Sequence, residues 1–124
     1  MIRSRVPIKF YVMGDSDEKV LARAKARLAP FIKRGEAFAL NGEGWTREWG
    51  AEKSFAFVPL TEAAEKALIE TAKTLGQDAL LLDEGGKGFL LWLDGRKEPL
   101  GFRSEGESNE GFSVIDGLGA FHYR

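Results

Sequence analysis

The firmest pattern of apolar and polar positions lies between Gly76 and Gly101, GQDALLLDEGGKGFLLWLDGRKEPLG. Two apolar runs, Ala79–Leu82 and Phe89–Leu93, flank the glycine-rich connection Asp83–Gly88, and a second turn, Asp94-Gly95, follows at once. Short apolar runs punctuated by Gly-Gly and Asp-Gly predict a β-meander. Phe89–Leu93 does not alternate. A strand that is apolar on both sides needs cover on both sides, which places it centrally in a sheet. Leu100 and Phe102, reached through Pro99, supply the third strand of the meander.

Upstream the period changes from two to about 3.6 residues, the signature of amphipathic helices. Ala64, Ala67, Leu68, Thr71, Ala72 and Leu75 form one stripe, with Thr61 as N-cap, Glu62 in the first turn and Gly76 as a left-handed C′ residue. The spacing predicts a helix over about Thr61 to Leu75. An earlier helix is predicted over about Ser16 to Arg34, where Val20, Ala24, Leu28 and Phe31 recur with Leu21 and Ile32. Asp15 and Ser16 are its candidate caps and Gly35 its stop. Pro30 interrupts the stripe. Proline in a helix interior costs about 3 kcal/mol, which predicts a kink there or two pieces.

The remaining segments read as strands. Val6, Ile8, Phe10 and Val12 share one face of residues 5–13, and Pro7 marks an edge or a strand start. Glu36–Asn41 and Glu52–Val58 are predicted strands, with a turn at Asn41-Gly42-Glu43-Gly44 and a stop at Pro59, and Phe38–Asn41 and Phe55–Val58 are expected to pair as a hairpin across the loop. Phe112–Ile115 and Ala120–Tyr123 form a closing hairpin around Asp116-Gly117-Leu118-Gly119, after a polar loop, Ser104–Gly111. Together these elements predict a single domain over residues 1–124. Its class is α+β: an antiparallel sheet of about five to seven strands with two helices packed on one face. The expected core is Ile8, Phe10, Val20, Leu28, Phe57, Leu68, Leu75, Leu80, Leu82, Leu91 and Leu93.

Composition narrows the function classes. At 124 residues, 44% hydrophobic and 30% charged, the chain matches a globular domain able to bury a core. It has no cysteine, which excludes disulfides, thiolate metal sites and cysteine nucleophiles. No apolar run is long enough for a signal peptide or a membrane span, so the expected setting is cytoplasmic, with no membrane partner. The net charge of −1 hides an asymmetry. Residues 1–34 hold nine Lys and Arg against three Asp and Glu; the rest of the chain holds nine against sixteen.

Lys19, Arg23 and Arg27 recur every four residues and so share one side of the first helix. They are either a solvated face or a phosphate-binding stripe of the kind nucleic acids reward. Trp45 and Trp49 lie in a polar stretch and are candidates for a partner-binding site, since tryptophan is enriched at hot spots; the alternative is a lid over the core. Catalytic chemistry finds little support. His122 is the single histidine, and no serine sits in a nucleophile-elbow context. Gly85-Gly86-Lys87-Gly88 lacks the spacing of a phosphate loop. Glu105, Glu107 and Glu110 lack the pattern of a calcium loop. Asp83, Glu84 and Asp94 around the meander are the carboxylates that an acid–base enzyme would use. No catalytic residue, metal or cofactor is therefore assigned.

The order Glu52-x-Ser54-Phe55, helix, Gly76-Gln77-Asp78-Ala79-Leu80-Leu81-Leu82, glycine turn, Phe89-Leu90-Leu91-Trp92-Leu93-Asp94-Gly95 and Leu100-Gly101 resembles small proteins carried by bacteriophages and prophages. The resemblance covers roughly residues 50–124. The tyrosine-rich ending of such proteins is replaced here by Phe112, Phe121 and Tyr123. The resemblance implies a non-enzymatic protein that binds and inhibits a host protein, such as a defence component of the CRISPR type. A nucleic-acid-binding module and a carboxylate enzyme are the alternatives.

Overall fold

Each of the eight strands pairs antiparallel with two neighbours, so the sheet has no free edge and closes into a barrel. The computed structural model describes residues 8–48 and 50–124. Within them the order is β1 (Lys9–Asp15), α1 (Glu18–Lys33), β2 (Ala37–Thr46), β3 (Gly50–Pro59), α2 (Glu62–Thr74), β4 (Ala79–Glu84), β5 (Lys87–Trp92), β6 (Lys97–Glu105), β7 (Gly111–Ile115) and β8 (Gly119–Tyr123). The strand order around the barrel is β1-β3-β2-β7-β8-β6-β5-β4. The first four strands, in the order β4-β1-β3-β2 with a helix in each crossover, form a split βαβ arrangement. The last four carry the sheet around until β7 meets β2.

The closed sheet replaces the expected open sheet of five to seven strands with two helices on one face. The cause is local. Asn41-Gly42-Glu43-Gly44, read as a turn, is continuous strand, and β2 runs on to Thr46. Its second half pairs with β7, Gly42 opposite Ile115 and Thr46 opposite Gly111. Cutting the strand at Asn41 removes the segment through which the barrel closes. The pairing of Phe38–Asn41 with Phe55–Val58 is present, with Phe38 opposite Val58 and Asn41 opposite Phe55.

Both barrel faces are apolar under the helices, which explains the non-alternating runs. Phe10 and Val12 of β1 and Ala56 and Val58 of β3 point into the barrel, where they meet Ile115 and Phe121. Tyr11, Met13, Phe55 and Phe57 point outward, beneath Leu21, Ala24 and Leu28 of α1 and Ala64, Leu68 and Ala72 of α2. Phe89, Leu91 and Leu93 join this outer cluster, whereas Leu90 faces inward. β5 is thus apolar on both faces, but in a closed barrel it is no more central than any other strand, and Leu90 faces a cavity.

The helix ends follow local chemistry. Thr61 Oγ1 accepts the Ala64 N–H at 3.1 Å, and Gly76 is left-handed with φ of 75°. For α1 the cap is Asp17 rather than Asp15 or Ser16; its carboxylate accepts from the Lys19 N–H at 2.9 Å. The helix passes through Pro30 as one piece. Pro30 lies in the last turn, and Ala26, whose carbonyl loses its partner, is on the exposed side. Ile8, expected in the core, is 85% exposed just outside β1. Val6, Pro7 and Trp49 lie outside the described residues.

Candidate functional site

The barrel interior is divided into a packed half and an open half. In the packed half Asp83 of β4, fully buried, is met by three donors. Arg103 Nη1 and the Tyr123 hydroxyl each reach Oδ2 at 2.7 Å, and the Gly86 N–H reaches Oδ1 at 2.9 Å. Asp83 therefore closes the floor of the barrel. Above it Phe121 packs edge-to-face on both Phe10 and Tyr123, with ring centroids 6.0 Å apart in each case.

The open half is a cavity of about 560 Å³ at the end of the barrel where β1 finishes and β4 begins. Its apolar wall is Val12, Ala79, Leu81, Leu90, Leu100 and Phe121. An eight-stranded barrel is just wide enough for side chains to fill or to hold one small ligand. Inward positions with small residues decide between the two. On β2 a Cβ at Gly42 would sit 2.4 Å from Ile115 Cδ1, so the barrel there is full. Two residues further on, a Cβ at Gly44 would meet nothing within 4 Å. The boundary between packed and open space falls between these two glycines. Ser54 on β3 and Ser113 on β7, small inward residues paired with Gly42 and Gly44 respectively, extend the open side.

Polar groups at the mouth are few and placed by the same register. Glu52 and Ser54 occupy successive inward positions of β3. Ser54 is 4% exposed, and its Oγ has no hydrogen-bond partner. Glu52 leans over Gly14, with Oε1 2.6 Å from where a Cβ on that glycine would be. Burial, helped by the neighbouring Asp15 carboxylate, raises Glu52 above the ordinary glutamate range. Asp15 itself accepts from Gln77 Nε2 at 2.6 Å. At the rim Trp45 lies against Phe112, ring centroids 5.5 Å apart. His122 Nδ1 is 2.9 Å from the Gly106 carbonyl, which can only accept, so this nitrogen carries the proton.

The other sequence candidates fall elsewhere. Lys19, Arg23 and Arg27 are exposed on the side of α1 away from Leu21, Ala24 and Leu28, and none lines the cavity. Trp45 is at the cavity rim; Trp49 lies outside the described residues. Asp83, Glu84 and Asp94 are not brought together. Asp83 faces the interior, Glu84 pairs with Lys97 at 2.6 Å, and Asp94 pairs with Arg96 at 2.8 Å at the far end of the hairpin. Among the described residues no group of three or more His, Asp or Glu is placed to hold a metal ion, and no helix is long and apolar enough to cross a membrane. The sequence reading missed Gly44, Ser54 and the Asp83–Arg103–Tyr123 cluster. The one available signal was Gly42 and Gly44 at period two, in line with a strand that has a small-residue face.

Fold and cavity together define a closed antiparallel barrel with a mostly apolar chamber and a sparse polar rim. No protein-family model matches the chain, and no curated protein matches it in sequence.

Proposed function

We propose that this chain is a non-enzymatic binding protein that takes a small, largely apolar molecule into the open half of its barrel. The observation that carries the reading is the cavity of about 560 Å³. It lies within the size range of small-molecule sites, roughly 300–1,000 Å³, and has their make-up of apolar walls with a few placed polar groups. The test uses Nile red, a neutral apolar dye whose emission rises in dry surroundings. Saturable binding to the wild-type chain is expected, and its loss in Gly44→Leu, which fills the chamber from a position with no neighbour to displace. Equal binding by a folded Gly44→Leu variant, or none by the wild type, would overturn the reading.

A second reading, a phage-borne protein that blocks a host protein, is supported by one observation. Trp45 and Phe112 lie against each other on the outward face of β2 and β7, and Val114 and Phe102 are exposed large apolar residues. That reading expects a stoichiometric partner captured from host lysate to be lost with Trp45→Ala and kept with Gly44→Leu. The opposite pattern would dismiss it.

A further inference from the structure

We infer that the cavity selects a small organic cation, an amine on an apolar body, with its ammonium group held by the Glu52 carboxylate and the Ser54 hydroxyl. This deepens the small-molecule reading above and rests on it.

Ser54 is the first support. A hydroxyl buried to this degree normally has a partner, because an unpaired buried polar group costs about 1–3 kcal/mol. Ser54 Oγ has none, and it sits on an inward position of β3 facing the chamber. Its lone pairs have no donor from the described chain.

Glu52 is the second. It lines the same chamber two residues away, and no described residue forms an ion pair or hydrogen bond with it. Other acids on the neighbouring elements are engaged. Asp15 is bonded to Gln77, Glu43 to Lys53 at 2.7 Å, and Glu110 lies 3.7 Å from Arg47. Glu52 stands unpaired at the solvent-exposed mouth of the chamber, with the Asp15 carboxylate near it. A cation arriving next to Glu52 favours the ionised carboxylate and offsets the repulsion from Asp15.

The walls supply the third. No described lysine or arginine lines the chamber, whereas Phe121 and Tyr123, on inward positions of β8, bring two aromatic rings to its floor. Aromatic faces attract cations, and more strongly where water is excluded. An anion in the same place would meet the Glu52 carboxylate with no lysine or arginine to balance it.

The experiment compares benzylamine, benzyl alcohol and benzoate, matched in body and different in charge, by titration calorimetry on the full chain. Benzylamine is expected to bind most tightly, roughly tenfold better than the alcohol for one charge-assisted contact, and benzoate most weakly. In Glu52→Gln, benzylamine should fall to the level of the alcohol while the alcohol is unchanged. Equal affinities for the three, or an amine preference that survives Glu52→Gln, would overturn the cation inference. Failure of all three to bind while Nile red binds overturns it alone, leaving the chamber; failure of Nile red as well overturns both.

Discussion

Arg103 on β6 reaches across β5 to Asp83 on β4, Nη1 to Oδ2 at 2.7 Å, so two strands that do not pair are tied through the barrel interior. The carboxylate is completely buried, whereas a quarter of the arginine side chain remains exposed. Removing the cation strands a charge that water cannot reach. Arg103→Met is therefore expected to destabilise the chain by about 3–5 kcal/mol, while adding Asp83→Leu recovers most of that loss. Urea unfolding of the two single variants and the double variant measures it. A loss under about 1 kcal/mol for Arg103→Met would show that the pair is weaker than its burial implies.

Tyr123 completes the same site from the last strand and crosses β5 where that strand has no side chain. A Cβ on Gly88 would sit 2.3 Å from the Tyr123 ring. Gly88→Ala should cost about 1–3 kcal/mol through overpacking, and Tyr123→Phe about 1–2 kcal/mol through one lost bond to a charged acceptor. Burial, then the bond to Asp83, pushes the Tyr123 phenol far above its usual range; burial and Glu65 do the same for Tyr11. These are the only two tyrosines. In the folded chain neither should ionise near pH 10, and an absorbance titration should show tyrosinate appearing only with alkaline unfolding. The folded state holds the protons that the unfolded state releases, so stability falls as pH rises past about 10. Tyrosinate forming at pH 10 in a chain that stays folded would contradict this environment.

Gly42 and Gly44 differ in the space above them, and the difference is measurable. In Gly42→Ala the new methyl meets the Val114 carbonyl oxygen and Ile115 Cδ1, both at 2.4 Å, so β7 must move. The expected cost is about 1–3 kcal/mol. Gly44→Ala meets nothing and restricts the unfolded chain, so it should be neutral or stabilising by up to about 1 kcal/mol. Thermal melts of the two variants decide it: equal effects would mean that the packed and open halves of the barrel are not divided between these residues.

That pair also shows why part of the fold was legible and part was not. α2 could be read because its signals are adjacent in sequence: the Thr61 cap, a stripe from Ala64 to Leu75 and the left-handed Gly76. The β4–β5 hairpin was legible for the same reason, with Gly85 and Gly86 both at positive φ between two apolar runs. Closure of the barrel depends instead on β7 pairing with Gly42–Thr46, a contact about seventy residues distant in sequence. Nothing local separates a glycine that turns the chain from one that lets another strand approach. Asp83 looked like a solvated turn residue because Arg103 and Tyr123, its partners, lie 20 and 40 residues further on. The chamber was hidden for a simpler reason. An empty volume is defined by the side chains that do not fill it, and Ser54 at the head of the apolar run Phe55–Val58 looks like an ordinary strand start.

Glu52 links the chamber to stability. Its proton affinity in the folded chain is raised, by burial first and then by Asp15. For an acid raised in this way the folded state binds more protons than the unfolded state, so stability decreases as pH rises from the ordinary glutamate value through the folded one. Above that window the ionised, unpaired carboxylate carries a cost that its exposure at the mouth keeps small. Glu65 on α2 has the opposite sign. Burial disfavours its charge, but the bonds from Lys9 and Tyr11 outweigh burial and lower its value, so its contribution is lost only as pH falls through the acid range. Glu52→Gln, which keeps the shape and removes the charge, should raise the melting temperature at pH 7 and abolish the difference from wild type near pH 4. Gln at a working site often stabilises while it impairs binding, because the unpaired group is retained for the ligand rather than for the fold. A melting temperature at pH 7 that is unchanged or lowered by Glu52→Gln would show that the carboxylate already has a stabilising partner within the chain.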